Sequence, residues 1–194
     1  MKNNIELAED YQNRAWEVIR DAKIMDAWTS IGATVNLVGS LKTGLLIKHL
    51  DIDFHVYTSP IILADSFKAM SIIADNHRVK QIKYANLLDT EECLEWHAWY
   101  EDHGGALWQI DMIHILFESP LAGKVERVTE RISEVLTEET RKAILSIKNA
   151  VPDGRKVKGI EIYMAVLRDG IRTYADFVEW KQSRHHTGII DWEP

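Results

Sequence analysis

A mixed α/β fold, α+β in its connectivity, is predicted for this chain from three features of its hydrophobic pattern. An apolar run over residues 33 to 38 ends in Gly39-Ser40, and the stretch Asp51-Ile52-Asp53-Phe54 alternates acid with apolar, as a half-buried strand does. From residue 79 to residue 116 the apolar spacing is two, the period of strands. From residue 121 it returns to three and four, the period of helices. Together these imply a mixed, partly antiparallel sheet with flanking helices, followed by a C-terminal helical region. The expected organisation is a core over residues 1–120, with residues 121–194 packed on it as helices.

Each element has its own signal. Leu7, Tyr11, Ala15, Val18, Ala22 and Met25 recur at steps of four and three, which predicts one helix over residues 5 to 28, with Gly32 where a C-terminal cap belongs. The first strand follows at 33 to 38, and Gly39-Ser40 turns the chain into a helix starting at about Leu41. After the acid-bearing strand, Ser59-Pro60 breaks the pattern. Residues 61 to 75 then read as a crossover helix with Ile62, Phe67, Met70 and Ile73 among its buried candidates.

Three strands are expected at 79 to 88, 93 to 101 and 106 to 116, the last two joined by the hairpin turn Asp102-His103-Gly104-Gly105. This meander places Asp111 centrally in a sheet. Val125, Val128, Ile132 and Val135 mark the next helix, and Thr137-Glu138-Glu139-Thr140 opens another with a capping box. Val151-Pro152-Asp153-Gly154 ends it. A helix pair closes the pattern: residues 159 to 168, then a helix capped by Thr173 that runs to about residue 182. Residues 183–194, with His185-His186, read as a loosely ordered, solvated tail. There is no internal repeat.

Composition narrows the function classes. A chain of 194 residues, 46% of them hydrophobic, can bury a real core. Cys93 is the only cysteine, so no internal disulfide forms, and no CxxC or HExxH spacing supports zinc. No apolar run is long enough to cross a bilayer and no charged-then-apolar leader is present, so a soluble, cytoplasmic protein with no membrane partner is expected. Net charge is −7, from 30 acids against 23 bases, without an extended basic stripe. On that ground no long nucleic acid is expected among the partners.

Asp51 and Asp53 project from the same face of their strand while Ile52, Phe54 and Val56 enter the core. Two carboxylates held that close repel unless one keeps a proton or a cation lies between them, and a divalent metal meets the need. Gly39, without a Cβ, lets backbone N–H groups approach a ligand, and Ser40 adds a hydroxyl, so the turn is a candidate phosphate cradle. Gly39 to Gly44 has P-loop spacing, but Leu45-Leu46 stand where Lys and Ser or Thr are required, which excludes that motif. His55 shares the acid face and is expected as a hydrogen-bond partner behind the acids. Trp96, Trp99, Tyr100 and Trp108 concentrate aromatics near Asp111, to pack or to stack on a ring.

The arrangement of strand, Gly39-Ser40, ten residues, then Asp51-Ile52-Asp53 resembles the signature of the DNA polymerase β-like nucleotidyltransferase superfamily, and Ile110-Asp111-Met112 matches its third, apolar-flanked carboxylate. The resemblance covers residues 33 to 114. It implies an enzyme that moves a nucleoside monophosphate from a nucleoside triphosphate such as ATP to a small-molecule or protein acceptor, releasing pyrophosphate. Two Mg²⁺ ions, or Mn²⁺, would be held by Asp51, Asp53 and Asp111, with Asp111 also the base for the acceptor proton. Gly39 and Ser40 would bind the β- and γ-phosphates. Leu41 stands where many small members carry an arginine, and Leu50 where they carry serine, while Gly44 is retained. The missing positive charge is sought in Lys42, and in Lys156 and Lys158 of the basic loop Arg155-Lys156-Val157-Lys158. The alternative reading is a non-catalytic nucleotide- or partner-binding module on the same fold. Acceptor identity, nucleobase preference and oligomeric state are left open by the sequence.

Overall fold

The computed structural model describes residues 2–183 and 192–194; the tail expectation for His185-His186 lies outside the described residues. Helix α1 (Asn4–Asp21) starts in a capping box, in which Asn3 accepts from the backbone of Ile5 and Glu6 while Glu6 accepts from the backbone of Asn3. The single helix expected over residues 5 to 28 is in fact two. Lys23 takes a left-handed φ of 53°, and a short α2 (Ile24–Thr29) leaves in a new direction. The break lets Trp28 turn under the sheet, fully buried, with its Nε1 at 3.2 Å from the sulfur of Met112.

The sheet has five strands in the order β1-β2-β5-β4-β3: β1 (Thr34–Val38), β2 (Asp51–Thr58), β3 (Val79–Leu87), β4 (Cys93–Glu101) and β5 (Leu107–Leu116). β2 and β5 are parallel and every other pair is antiparallel. The sheet is therefore mixed and partly antiparallel. One face carries Ile52, Phe54, Val56, Trp96, Ala98, Tyr100, Ile110 and Met112, all buried against α1, α2 and α4 (Leu63–Ala74) in the larger core. Trp108 belongs to that core too. The acids occupy the opposite face.

The buried stripe of α4 is Ser66, Ala69, Met70 and Ile73, so Met70 and Ile73 are buried as expected while Ile62 and Phe67 are not. Ile62, which precedes the helix, is 51% exposed and Phe67 is 47% exposed. The Phe67 ring instead lies along the flank, 5.1 Å from that of Tyr84 and 4.8 Å from that of Trp96.

A second apolar core is built by α6 (Glu138–Ala150), α7 (Gly159–Leu167) and α8 (Tyr174–Gln182), and it takes in Ala8 of α1 together with Leu45 and Ile47. α1 thus spans both cores, giving Ala15, Val18 and Ile19 to the first. Helix α5 (Lys124–Val135) joins the helical region to the acid face of the sheet. Its Glu126 accepts from the Tyr57 hydroxyl at 2.7 Å and from Asn36 Nδ2 at 3.3 Å, and lies 3.3 Å from His55 Nδ1. Burial alone would raise the Glu126 pKa, but the hydrogen bonds with His55 and Tyr57 hold it at about 2. No helix among the described residues is long and apolar enough to cross a membrane.

Candidate active site

The acid face is organised by register. Asp53 on β2 pairs with Asp111 on β5, and Asp111 pairs with His97 on β4, so the three lie in one row across the sheet. Asp51 begins a second row with Gln109 and Trp99. Strand alternation puts both rows on the same surface, since residues two apart share a face.

The turn at Gly39 is built for this surface. Its φ of 69° is left-handed, and a Cβ there would sit 2.4 Å from Asp53 Oδ2, so no other residue allows Asp53 its position. The following helix α3 (Gly39–Lys42) is a single turn that starts at Gly39 rather than at about Leu41, and its dipole adds little. Leu41 enters the core and Lys42 is exposed away from the acids, outside the cavity they line. Lys42 follows Leu41, the position of the usual arginine, by one residue, and that step on a helix turns the side chain by about 100°.

Asp51, Asp53, Asp111, Gln109, Gly39 and Ser40 line one wall of a cavity of about 1000 Å³. Lys148 of α6 and the segment Gly154 to Tyr163 line the other, bringing Arg155, Lys156 and Lys158 to the same space, with Lys181 of α8. The apolar side of α5 contributes Val125, Val128 and Ile132. Of the residues singled out in the sequence, the acids, Gly39, Ser40, Lys156 and Lys158 therefore share one cavity, and Lys42 does not.

Electrostatics in this cavity are strained by like charge. Burial, then the neighbouring Asp111 and Asp51, push the Asp53 carboxyl up to about 7. Burial and Asp111 also raise Asp51. Lys148 is the counterpart: burial lowers its amine to about 8, while Asp53 and Asp51 pull it back toward the charged form. Its Nζ donates to Leu45 O at 2.7 Å and to the Tyr163 hydroxyl at 3.4 Å. Sequence reading missed this lysine. The signal was available, since Lys148 follows Ile144 by four in the buried stripe of α6, where a charge is out of place.

Asp111 is clamped. Gln109 Nε2 donates to its two oxygens at 2.9 and 3.1 Å, and His97 Nδ1 lies 2.6 Å from Oδ1, with Glu95 Oε2 at 3.6 Å from the other ring nitrogen. Among the described residues no group of three or more His, Cys, Asp or Glu side chains converges closely enough to hold an ion outright. The donor set facing the cavity is nevertheless all oxygen, and burial together with the surplus of negative charge raises the Asp53 carboxyl, conditions that a hard divalent cation satisfies. The residues present therefore fit such an ion. Of the aromatics near Asp111, Trp96, Tyr100 and Trp108 are buried core residues, and Trp99 alone shares the acid face.

No family model matches the sequence, and no curated protein matches it. Solved structures do resemble the fold. A Cid1 poly(U) polymerase structure with MgGTP bound is 14% identical with a TM-score of 0.57, covering 84% of this chain and 54% of that one. A Cid1 structure described for its RNA terminal uridylyl transferase activity is 13% identical with a TM-score of 0.60, covering 82% and 48%. The poly(A) polymerase complex GLD-2–GLD-3 is 14% identical with a TM-score of 0.54, covering 90% and 61%. This chain spans about half the length of the Cid1 structures it matches. These neighbours belong to the DNA polymerase β-like nucleotidyltransferase superfamily, and the likeness shows that the chain has that superfamily's fold. Their RNA substrates conflict with the expectation of a small-molecule or protein acceptor and no nucleic acid. That expectation rested on net charge and on the absence of an extended basic stripe; the structure adds buried Lys148 to the basic loop Arg155, Lys156 and Lys158 in one cavity.

Proposed function

We propose that this protein transfers a nucleoside monophosphate from a nucleoside triphosphate to the 3′-hydroxyl of an RNA acceptor, releasing pyrophosphate. The observation that carries the reading is the pairing of Asp53 with Asp111 on parallel strands, beside Asp51 and across one cavity from Lys148 and the basic loop. The RNA-directed activities in the names of the fold neighbours support the acceptor class.

In this reading Asp51, Asp53 and Asp111 hold divalent magnesium, present with nucleotide in a neighbouring structure, whose chemistry is to neutralise the phosphates and lower the pKa of the acceptor hydroxyl. The other roles fall to the chain's own groups. The Gly39-Ser40 turn offers its hydroxyl and close backbone approach to the outer phosphates. Lys148, Lys156 and Lys158 meet the charge that builds on the departing pyrophosphate, with Lys148 already in place because Leu45 O holds its amine. Gln109 and His97 keep Asp111 oriented to accept the acceptor's proton. The bond formed joins the 3′-oxygen to the α-phosphorus, and the bond broken is the one to the bridging oxygen of the pyrophosphate.

The test is incubation of the chain with each nucleoside triphosphate and Mg²⁺, reading pyrophosphate release with a short RNA that ends in a free 3′-hydroxyl and with the same RNA ending in a 3′-deoxy residue. Release with the first and not the second is expected. No release with any triphosphate would refute the reading.

A further inference from the structure

We infer that the open acid face of β4 and β3 is the seat of the acceptor's 3′ end, with Trp99 as the stacking surface for a terminal nucleobase. The inference rests on the proposed function and names residues for its second substrate. It begins from what covers the sheet. α5 lies over β1 and β2 on the acid face, held there by Glu126, and α4 packs on the opposite face through Ser66 and Met70. Beyond Asp111 and Gln109 of β5 the acid face continues over β4 and β3, through half-buried His97 and Trp99 to the exposed Gln81 and Lys83 on the edge strand.

Register sets the spacing. Asp111 pairs directly with His97, so Trp99, two residues further along β4, is its diagonal neighbour at about 7–8 Å between backbones. A sugar whose hydroxyl reaches Asp111 thus has its own base, or the one before it, within reach of the indole. The indole leans toward the His97 ring, 6.1 Å between centroids with planes 36° apart, so one ring borders the clamp on Asp111 and the other extends the surface outward. Trp99 also pairs with Gln109, whose amide holds both Asp111 oxygens. An acceptor seated on Trp99 is therefore registered to the carboxylate that takes its proton.

The shape selects the class of acceptor. A small molecule is held by enclosing walls that bury most of its surface. This face runs to the sheet edge at β3, where Gln81 and Lys83 are exposed, which suits a chain that enters from outside and presents one end. Stacking on an indole tolerates any base, and Lys83 in the Asp111 row is the cation at the edge for a phosphate of the strand. With Glu95 and Glu101 on the same face, few phosphates are neutralised, so the grip is short and its salt dependence shallow.

The experiment uses the full chain and fluorescein-labelled hexaadenylate, with binding read by anisotropy without triphosphate and extension read on denaturing gels with Mg²⁺ and triphosphate. Trp99→Ala is expected to weaken hexaadenylate binding about ten-fold or more and to raise the acceptor KM equally, while Trp99→Phe stays close to wild type. The KM for triphosphate should not move. A hexamer whose last residue lacks a base should bind wild type more weakly than hexaadenylate does, and should bind Trp99→Ala as hexaadenylate does. An unchanged acceptor affinity in Trp99→Ala, or an equal loss from the missing base in wild type and variant, overturns the inference. Adenosine that binds as tightly as the hexamer overturns the chain-like acceptor. Failure of all turnover in wild type, with binding still dependent on Trp99, removes the proposed function and leaves the stacking site.

Discussion

Replacing Lys148 by Met separates what this lysine does for the fold from what it does for a ligand. Burial brings its amine from the ordinary 10.5 to about 8 in the folded chain. The unfolded chain therefore binds the proton more readily between those values. Stability from this group is present above about 10.5 and is lost as pH falls through about 8. The difference is worth about 3 kcal/mol at about 1.4 kcal/mol per pH unit. At neutral pH the amine is charged in both states and the full cost stands. Methionine removes that cost, but it leaves Leu45 O without its donor at 2.7 Å, which costs about 1–3 kcal/mol. The variant is thus expected to match wild type at pH 7 or to exceed it by up to about 2 kcal/mol. Urea unfolding across the alkaline range gives the sharper reading. Wild type should gain about 3 kcal/mol on the variant between pH 8 and 10.5. Triphosphate affinity at pH 7 should meanwhile fall about ten- to hundred-fold, the worth of a charge-assisted hydrogen bond. A flat difference curve would refute the burial argument, and an unchanged affinity would refute the ligand role.

Gly39→Ala places a Cβ 2.4 Å from Asp53 Oδ2 at a φ of 69° and should cost about 1–3 kcal/mol, read as a lower melting temperature, while weakening triphosphate binding through displaced Asp53. Asp53, raised to about 7, contributes stability that is full below its ordinary 3.8 and is lost as pH rises through 7, at most about 4 kcal/mol and less for its partial contact with solvent. Asp53→Asn should therefore melt higher than wild type at pH 7 in the absence of metal, and Mg²⁺ should raise the melting temperature of wild type only. His114, lowered to about 4 by burial, contributes in the opposite sense: stability present above 6.5 is lost as pH falls through 4, about 3 kcal/mol, and His114→Asn should flatten that slope in urea titrations. The Asp53 and His114 slopes oppose each other in wild type, so each is read as variant minus wild type.

The strands were legible because both of their signals are local. Period two from residue 79 onward and the acid-apolar alternation at Asp51 survive any tertiary context, since a one-residue slip would turn the acids into the core. The break at Lys23 was not legible: lysine carries no helix-stop signal, and its left-handed φ follows from seating Trp28 beneath the sheet. Phe67 was misassigned to the core because period alone does not tell which of two adjacent stripes faces the sheet. At the site, the turn and the acids could be read as a pattern, whereas Lys148, Gln109 and His97 could not be assigned without knowing what lies opposite them. Gln109 and His97 look like ordinary polar positions of half-buried strands until register joins both to Asp111.

Net charge does not describe this cavity, because acids and cations gather on different walls of it. The aspartates at the site sit on the sheet, and the cations sit on the helical region, in Lys148, Arg155, Lys156 and Lys158, while Lys181 there is paired with Glu161 at 2.6 Å. Each group is uncomfortable alone: Asp53 is pushed toward its neutral form by burial and then by Asp111 and Asp51, and Lys148 by burial. In the proposed reaction a triphosphate would carry anionic oxygens to the helical wall and its accompanying cations would answer the sheet wall, relieving both at once. A sum over the chain cancels this separation and reports only the excess of acids elsewhere on the surface. What selects a phosphate ligand is the local sign on each wall. That is set by which helix face carries Lys148 and which strand face carries Asp53, and neither enters the total.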